Sequence, residues 1–415
     1  MELKIRQEPH ATYHYLETRQ FKTVEITLRF FDTLEPKRTT TRHLMLMMLR
    51  AKNRFAPSRK SLNRLLEHLY DTRLAAQSAK LGTAHVNQLT LSFVNPSIVG
   101  GADFFYRVLQ LLKETLFHPV FDEKTLEEEK QFLKDYFKAE YAEKTRYAQK
   151  RFFEHLFEGH PYRLSPFGEP GWIDAVTLTD IKEAHARMIE ENPVLITSVG
   201  DLEAERTHTM VKYDLAFAGN AELPDSFTIR TPFEPRGPRR ESLKLEQDRL
   251  FMAFDSDVYH DDPDYFSMVV LSELFGGGSE SLLFRRVREE ASLCYHIGAS
   301  FLPFSGLLTV HSAMKAQNVD LARETVLQTF HSLQQGDFTD RDLTLAKNSL
   351  ITTIKQSYDH PRGLAALAAR SQLFDAPFKE EERLQRIHKV EREDIQRAAT
   401  RLSFIFTYVL GSEDA

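Results

Sequence analysis

The sequence has little of several features that would point to a function at once. A single cysteine among 415 residues excludes an intrachain disulfide and a cluster of thiolate metal ligands. A net charge of -6 lacks the basic excess that nucleic-acid backbones normally require, so we expect no nucleic-acid partner. No apolar run approaches the roughly 18 residues of a membrane span, and the segment from Met1 to His10 is polar and mixed in charge. We therefore expect a cytoplasmic chain that does not associate with a membrane.

Common catalytic signatures are also missing. The chain has no phosphate-binding loop and no GxGxxG, GxSxG or CxxC pattern. Cys294 has no base at a defined spacing, and its place between Leu293 and Tyr295 favours a small packed hydrophobe over a nucleophile. The sequence therefore does not favour an autonomous hydrolase with an unrecognised site.

The periodic patterns predict an α+β fold. A hydrophobic content of 42% is enough for two or more packed domains. The first half reads as strand, helix, helix, strand, helix and a long charged helix, and the second half repeats much of this order. The predicted elements of the first half are a strand at Val24 to Phe31, helices at Arg42 to Arg50 and Leu62 to Leu74, a strand at Gln88 to Val94, and helices at Ala102 to Phe117 and Glu123 to Lys144.

This repetition indicates two homologous lobes of about 200 residues each. We predict that each lobe is an antiparallel-rich sheet packed with helices. The N-terminal lobe is placed at residues 1–221 and the C-terminal lobe at 242–415, joined by a linker at 222–241 that is rich in proline and charge. In the long charged helix, the run from Glu127 to Lys130 is most simply a solvated face.

A glycine-rich string, LFGGGSESLLFRRVREEASLCY at residues 274–295, is the most distinctive stretch of the chain. Gly276, Gly277 and Gly278 can take positive φ and admit the close approach of another backbone. Ser279 or Ser281 can then cap an amphipathic helix. Such a triplet is, however, more often a plain turn than a ligand-binding loop.

Arg288 and Tyr295 lie seven residues apart in this string. On a continuous helix they would be two turns apart and nearly on the same face. A guanidinium fork and a phenol O–H on one face can hold a peptide. The alternative is that both side chains belong to an ordinary solvated face.

The whole string resembles the C-terminal-half signature of the insulinase (pitrilysin) zinc-peptidase family. The stretch His160-Pro161-Tyr162 with Gly168 and the segment Thr177 to Asp180 resemble that family's first-half pattern, so the resemblance covers nearly the whole chain. It implies that Arg288 and Tyr295, with the three glycines, contact substrate beside the metal.

The zinc motif of the family is degenerate in this chain. In the family, HxxEH places two His one helical turn apart as zinc ligands and a Glu as general base. Here the matching helix reads His43-Leu44-Met45-Leu46-Met47, so Leu46 and Met47 replace the Glu and the second His. The third ligand position falls on Tyr136 when counted from Glu129. We therefore expect no metal site in this chain.

Two further residues come near the pattern without completing it. Counted from Glu128, the third ligand position is Asp135, which would have no pair of histidines to work with. The segment Arg64 to His68 is HxxEH with Arg in place of the first His, and a guanidinium has no lone pair for zinc.

The family includes heteromeric members in which one subunit lacks HxxEH. This chain most resembles the bacterial non-catalytic subunit associated with aminopentanol modification of elongation factor P. The resemblance implies no cofactor here, zinc in an HxxEH-bearing partner of a heterodimer, and a peptide or unfolded protein as substrate, with Arg288 and Tyr295 acting in trans. The alternative is a scaffold or peptide-binding subunit without a proteolytic role, and self-association into a homodimer is the alternative assembly.

Overall fold

The computed structural model describes residues 1–219, 222–223, 227–230 and 233–412. The linker predicted at 222–241 therefore falls partly outside the described residues. Within the described ranges, no helix combines the length and apolarity needed to cross a membrane. The chain forms two compact units, which are described separately. The first contains Met1–Ala139, His160–Phe227 and Ser357–Phe378, and the second contains Glu140–Gly159, Thr228–Gln356 and Lys379–Ala415.

The first unit is built on a mixed sheet in the order β1-β2-β6-β3-β5-β4. Strands β2 and β6 pair in parallel, and the other neighbours pair antiparallel. The strands are β1 (Lys4–Glu8), β2 (Ala11–Glu17), β3 (Thr23–Thr33), β4 (Arg73–Leu81), β5 (Ala84–Val94) and β6 (Val194–Gly200).

The second unit has a sheet in the order β7-β11-β8-β10-β9. Strands β7 and β11 pair in parallel, and the remaining pairs are antiparallel. The order β11-β8-β10-β9 reproduces the order β6-β3-β5-β4, so the two sheets share one topology. The predicted α+β fold with antiparallel-rich sheets is thus confirmed. The strands are β7 (Arg239–Leu243), β8 (Asp248–Asp255), β9 (Cys294–Leu302), β10 (Leu307–Met314) and β11 (Ser403–Ser412).

Helices pack against both sheets. Those before the second sheet are α1 (Pro36–Leu49), α2 (Arg59–His68), α3 (Pro96–Val99), α4 (Gly101–Phe117), α5 (Glu123–Ala142), α6 (Lys144–Leu156), α7 (Leu178–Glu190) and α8 (Ala204–Asp214). The later ones are α9 (Tyr265–Gly276), α10 (Val319–Gln334), α11 (Asp340–Tyr358), α12 (Pro361–Phe374), α13 (Glu380–His388) and α14 (Arg392–Arg401), with a π-helix at Phe284–Glu290 and 3₁₀ turns at Pro161–Arg163, Pro170–Trp172 and Ala316–Asn318.

Each unit includes one helix from the other half of the chain. Helix α6 belongs to the second unit, where the Phe152 ring stacks on Phe251 with 5.2 Å between centroids. Helix α12 belongs to the first unit, where Leu364 and Ala368 pack against Leu16 of β2. The lobe boundaries at 1–221, 222–241 and 242–415 remain a prediction. The compact units differ from simple halves of the chain because each includes one helix, α6 or α12, from the other half.

One predicted helix is too long. The pattern at Leu62 to Leu74 predicts a single helix, but α2 ends at His68 and β4 begins at Arg73. The reversal uses Tyr70 and Asp71, both at φ 55°. Left-handed residues other than glycine leave no clear composition signal, so this turn could not be read from periodicity.

A buried ion pair anchors α1 to the sheet of the first unit. The Arg42 guanidinium is buried, forms an ion pair with Asp32 of β3, and donates to Asn192 Oδ1 at 2.6 Å. Arg42 immediately precedes His43, so this pair also fixes the position of the degenerate zinc helix.

We expect Arg42→Met to lower the free energy of unfolding by about 1 to 3 kcal/mol, because the buried Asn192 Oδ1 loses its donor and Asp32 is left with Arg38 as its cation. Urea unfolding measures the loss. The matched control is Arg6→Met, which breaks an exposed pair with Glu205 and should cost less than about 1 kcal/mol. Equal losses in the two variants would contradict the anchoring role of Arg42.

Candidate functional site

The four residues that the sequence resemblance assigns to degenerate zinc positions lie together in the first unit. His43, Leu46 and Met47 project from α1 and Tyr136 from α5, and together they line one cavity of about 170 Å³. The sequence resemblance placed these residues at one site, and the structure brings them together. The cavity is completed by Arg50, Ala76, Leu133 and Phe167.

His43 is a half-buried polar residue in the lining of this cavity. Its Nδ1 lies 2.9 Å from the Ser78 Oγ on β4, and its ring meets Phe167 edge-on with 5.1 Å between centroids. Burial, helped by the nearby Arg50 charge, lowers the pKa of His43 to about 4. The imidazole is therefore neutral near pH 7.

The rest of the lining offers no complete set of metal ligands. Leu46 and Met47 place an aliphatic side chain and a thioether where the family has a carboxylate and an imidazole. In the part of the chain that the structure describes, no three His, Cys, Asp or Glu side chains converge on a possible metal position. A tetrahedral zinc site therefore has one of its usual protein ligands here, His43.

The prediction that the run from Glu127 to Lys130 forms a solvated face is wrong at Glu129 on α5. This residue is 2% exposed and forms an ion pair with Arg59 of α2, and its neighbour Lys130 is also buried. Burial raises the pKa of the Glu129 carboxyl, and the Arg59 charge opposes that rise. The run from Glu127 to Lys130 therefore includes two residues that pack inward.

The two near-matches to the zinc pattern lie outside the cavity lining. His68 is exposed at the end of α2, where its Nδ1 is 2.6 Å from the Arg64 carbonyl oxygen of the same helix. Asp135 is exposed and accepts hydrogen bonds from Gln131 and Lys138. Neither His68 nor Asp135 therefore belongs to the cavity lined by His43, Leu46, Met47 and Tyr136.

The three glycines lie between two helical stretches of the second unit: α9 ends at them, and the predicted helix follows from Leu282, where the Phe284 N–H donates to Ser281 Oγ at 3.4 Å. Helix α9 finishes at Gly276, and Gly277 follows at φ -76°, so the predicted positive φ is wrong. The predicted close approach is correct at Gly276, where a Cβ atom would lie 2.6 Å from the Ala299 Cβ on β9. Gly278 lies at a cavity of about 160 Å³ beside α11.

Arg288 and Tyr295 do not share a helix. Arg288 is in the π-helix, which ends at Glu290, and Tyr295 is on β9. The chain reverses through Ser292 at φ 53°, and the Leu293 N–H donates to the Val287 carbonyl at 3.0 Å. The prediction that Arg288 and Tyr295 lie on one face of a single helix is therefore wrong.

A β-bulge exposes Tyr295. In the β9–β10 ladder Cys294 pairs with Met314 and His296 pairs with Ala313, so Tyr295 has no partner in β10. The side chain is 55% exposed. Bulges commonly redirect a side chain beside a functional site, and π-helical turns are also frequent at such sites.

The guanidinium of Arg288 is also accessible. Arg288 is exposed, and its guanidinium carbon lies 4.4 Å from the centroid of the Phe284 ring. Among the described residues it has no ion-pair partner, whereas Arg285 and Arg286 on the same helix pair with Asp342 and Asp337. Its donor fork is therefore available to an external carbonyl or carboxylate.

Sequence reasoning missed several residues of these sites. Ala76 belongs to β4, which was not predicted, and Phe167 lies in a loop with no periodic pattern. His296 and His311, whose Nε2 atoms are 3.2 Å apart beside Tyr295, were also missed. Their cross-strand contact follows from the β9–β10 register, which the alternation of each strand does not specify.

Comparisons with known proteins are consistent with the incomplete set of zinc ligands at this cavity. Residues 175–350 match the family model described as the peptidase M16 inactive domain. The probable inactive metalloprotease YmfF of Bacillus subtilis (strain 168) is 27% identical over 412 residues, covering 97% of this chain and 96% of that protein.

Two solved structures share the fold over the whole chain. A conserved protein from Enterococcus faecalis V583 has a TM-score of 0.92 and 23% identity, covering 100% of this chain and 99% of that one. The peptidase M16 inactive domain from Pseudomonas fluorescens has a TM-score of 0.83 and 18% identity, covering 99% and 98%.

Proposed function

We propose that this chain, whose residues 175–350 match the peptidase M16 inactive domain, is the metal-free subunit of a heteromeric zinc peptidase. The partner carries HxxEH, the zinc ion and the attacking water. This chain contributes Arg288 and Tyr295 to the substrate. The observation that carries the proposal is an exposed Arg288, without an ion-pair partner in the described ranges, followed seven residues later by a bulge-exposed Tyr295. The residues at the chain's own degenerate zinc positions are mostly apolar.

The chemistry follows from the two side chains. A guanidinium donates to a substrate carbonyl or carboxylate through a fixed planar fork and stays charged at all working pH values. A phenol O–H donates one hydrogen bond, which would stabilise the negative charge that develops on the carbonyl oxygen of a peptide during hydrolysis. Arg288 therefore binds the substrate backbone, and Tyr295 acts on the developing charge.

The alternative, a scaffold without a proteolytic role, makes a different prediction. A scaffold gives no reason for Arg288 to have no acidic partner in the part of the chain that the structure describes, whereas Arg285 and Arg286 pair with Asp342 and Asp337. Substitution of Arg288 therefore separates the two functions.

We expect Arg288→Ala to lower kcat/KM of the mixed complex by about 10- to 100-fold, because a charge-assisted hydrogen bond to the substrate is lost. Assembly with the partner, followed by size-exclusion chromatography, should not change. The matched control is Arg286→Ala on the same helix, which should stay within about twofold of wild type, since its partner is Asp337. If Arg288→Ala retains full activity in the assembled complex, the scaffold function replaces the catalytic one.

A further inference from the structure

The cavity at the degenerate zinc positions has the size and lining of a binding pocket for one aromatic ring. Its volume is about 170 Å³, and Leu46, Met47, Leu133 and Phe167 make most of its wall apolar. An apolar cavity of about 150 Å³ accepts a benzene molecule.

A chain of hydrogen bonds fixes which nitrogen of His43 carries the proton. The Asn87 Nδ2 donates to the Arg42 carbonyl at 3.1 Å, so the Asn87 Oδ1 is the atom that accepts from Ser78 Oγ at 3.0 Å. The Ser78 hydroxyl has thereby used its single hydrogen, and its oxygen accepts from His43 Nδ1–H at 2.9 Å. The Nε2 atom of His43 therefore carries a lone pair.

This lone pair has no partner among the described residues, because the hydrogen bond of His43 is made through Nδ1. The cavity thus presents the His43 Nε2 acceptor on a mostly apolar wall, which also carries the Tyr136 hydroxyl and the Arg50 guanidinium. A ligand that fills the cavity without a donor leaves this acceptor unsatisfied.

The cavity opens beside the edge of a sheet. Ala76 lines it from β4, the edge strand of the first unit, which pairs with β5 alone in the described sheet. Ala75 and Gln77 are exposed on either side of Ala76. An extended peptide can add to such an edge through its backbone and place alternate side chains on the face where the cavity lies.

We infer that this cavity binds the side chain of a tyrosine in an extended peptide, with the phenol O–H donating to His43 Nε2. The ring fills the apolar volume, and the hydroxyl satisfies the acceptor. The site lies in the first unit and uses neither Arg288 nor Tyr295, so it goes beyond the proposed peptidase role. It gives the metal-free chain a selective peptide-binding pocket at the place where catalytic relatives hold zinc.

Isothermal titration of the full chain with three peptides tests the inference. The peptides are identical hexapeptides with tyrosine, phenylalanine or O-methyltyrosine at one central position. We expect the tyrosine peptide to bind about tenfold or more tightly than the other two, because each of those leaves Nε2 unpaired. Equal affinities for tyrosine and phenylalanine, or no measurable binding of any peptide, would overturn it.

Three variants locate the effect, each checked for folding by its thermal unfolding midpoint. His43→Phe keeps a ring of similar size without Nε2 and should abolish the preference for tyrosine. Ala76→Leu fills the cavity from a half-buried position on β4 and should weaken all three peptides. The control, His68→Phe on the exposed end of α2, should retain the full preference. Persistence of the tyrosine preference in His43→Phe contradicts the assignment, and Ala76→Leu provides the test if His43→Phe fails to fold.

Discussion

We expect Tyr295→Phe to lower kcat of the complex between this chain and its zinc-bearing partner by about 100-fold or more. The substitution removes only the phenol O–H, which in the proposed mechanism donates to the oxyanion of the transition state. Because the side chain is 55% exposed on a bulge, its loss should leave the fold and the assembly unchanged. Steady-state kinetics of the assembled complex measure the effect.

The control and the pattern of the kinetic change decide the role of Tyr295. Tyr213→Phe, at a tyrosine that is 82% exposed in the first unit, should leave kcat unaltered. A fall in kcat at Tyr295→Phe with little change in KM indicates an interaction made in the transition state. A rise in KM alone would make Tyr295 a ground-state contact, and unchanged kinetics would remove it from the mechanism.

The second large effect is the gain of a metal site. We expect the double variant Met47→His/Tyr136→Glu to bind about one zinc ion per chain, because it supplies a second imidazole and a carboxylate to the cavity that already holds His43. His43 is prepared for this role, since its Nδ1–H is held by Ser78 and its Nε2 lone pair is unused. Zinc content after dialysis, with the thermal unfolding midpoint, measures binding.

The single variant Met47→His is the matched control, because two ligands should not retain zinc through dialysis. In the double variant, zinc should also raise the unfolding midpoint, since a ligand that binds the folded state stabilises it. A folded double variant that retains no zinc would show that these positions do not converge as the family's ligands do.

Much of the fold could be predicted because its strongest elements carry clear local patterns. The alternation at Val24 to Phe31 lies within β3, and the apolar spacing at Ala102 to Phe117 matches α4. Strands β1, β2 and β4 were missed because their alternation is weak or their residues are polar. The exchange of α6 and α12 could not be predicted, because periodicity shows which face of a helix is apolar but not which sheet it covers.

In the candidate sites, too, local sequence order could be used for prediction, whereas features that depend on packing could not. The order of residues in the string at 274–295 and in the helix at His43 was enough to indicate a family and its missing ligands. The π-helix and the turn at Ser292 depend on packing of the Leu282, Leu283 and Val287 side chains, so spacing alone placed Arg288 and Tyr295 on one helix. The closing of the cavity by Ala76 and Phe167 likewise depends on contacts between distant segments.

In the proposed function, this chain completes a zinc peptidase whose metal site is supplied by another subunit. Affinity purification of the chain from its own host, with co-purifying proteins identified by mass spectrometry and zinc measured in the same fractions, tests it most directly. We expect a stoichiometric partner that carries HxxEH, with about one zinc ion per pair of subunits. Recovery of this chain alone, or with partners that hold no zinc motif and no zinc, would contradict it.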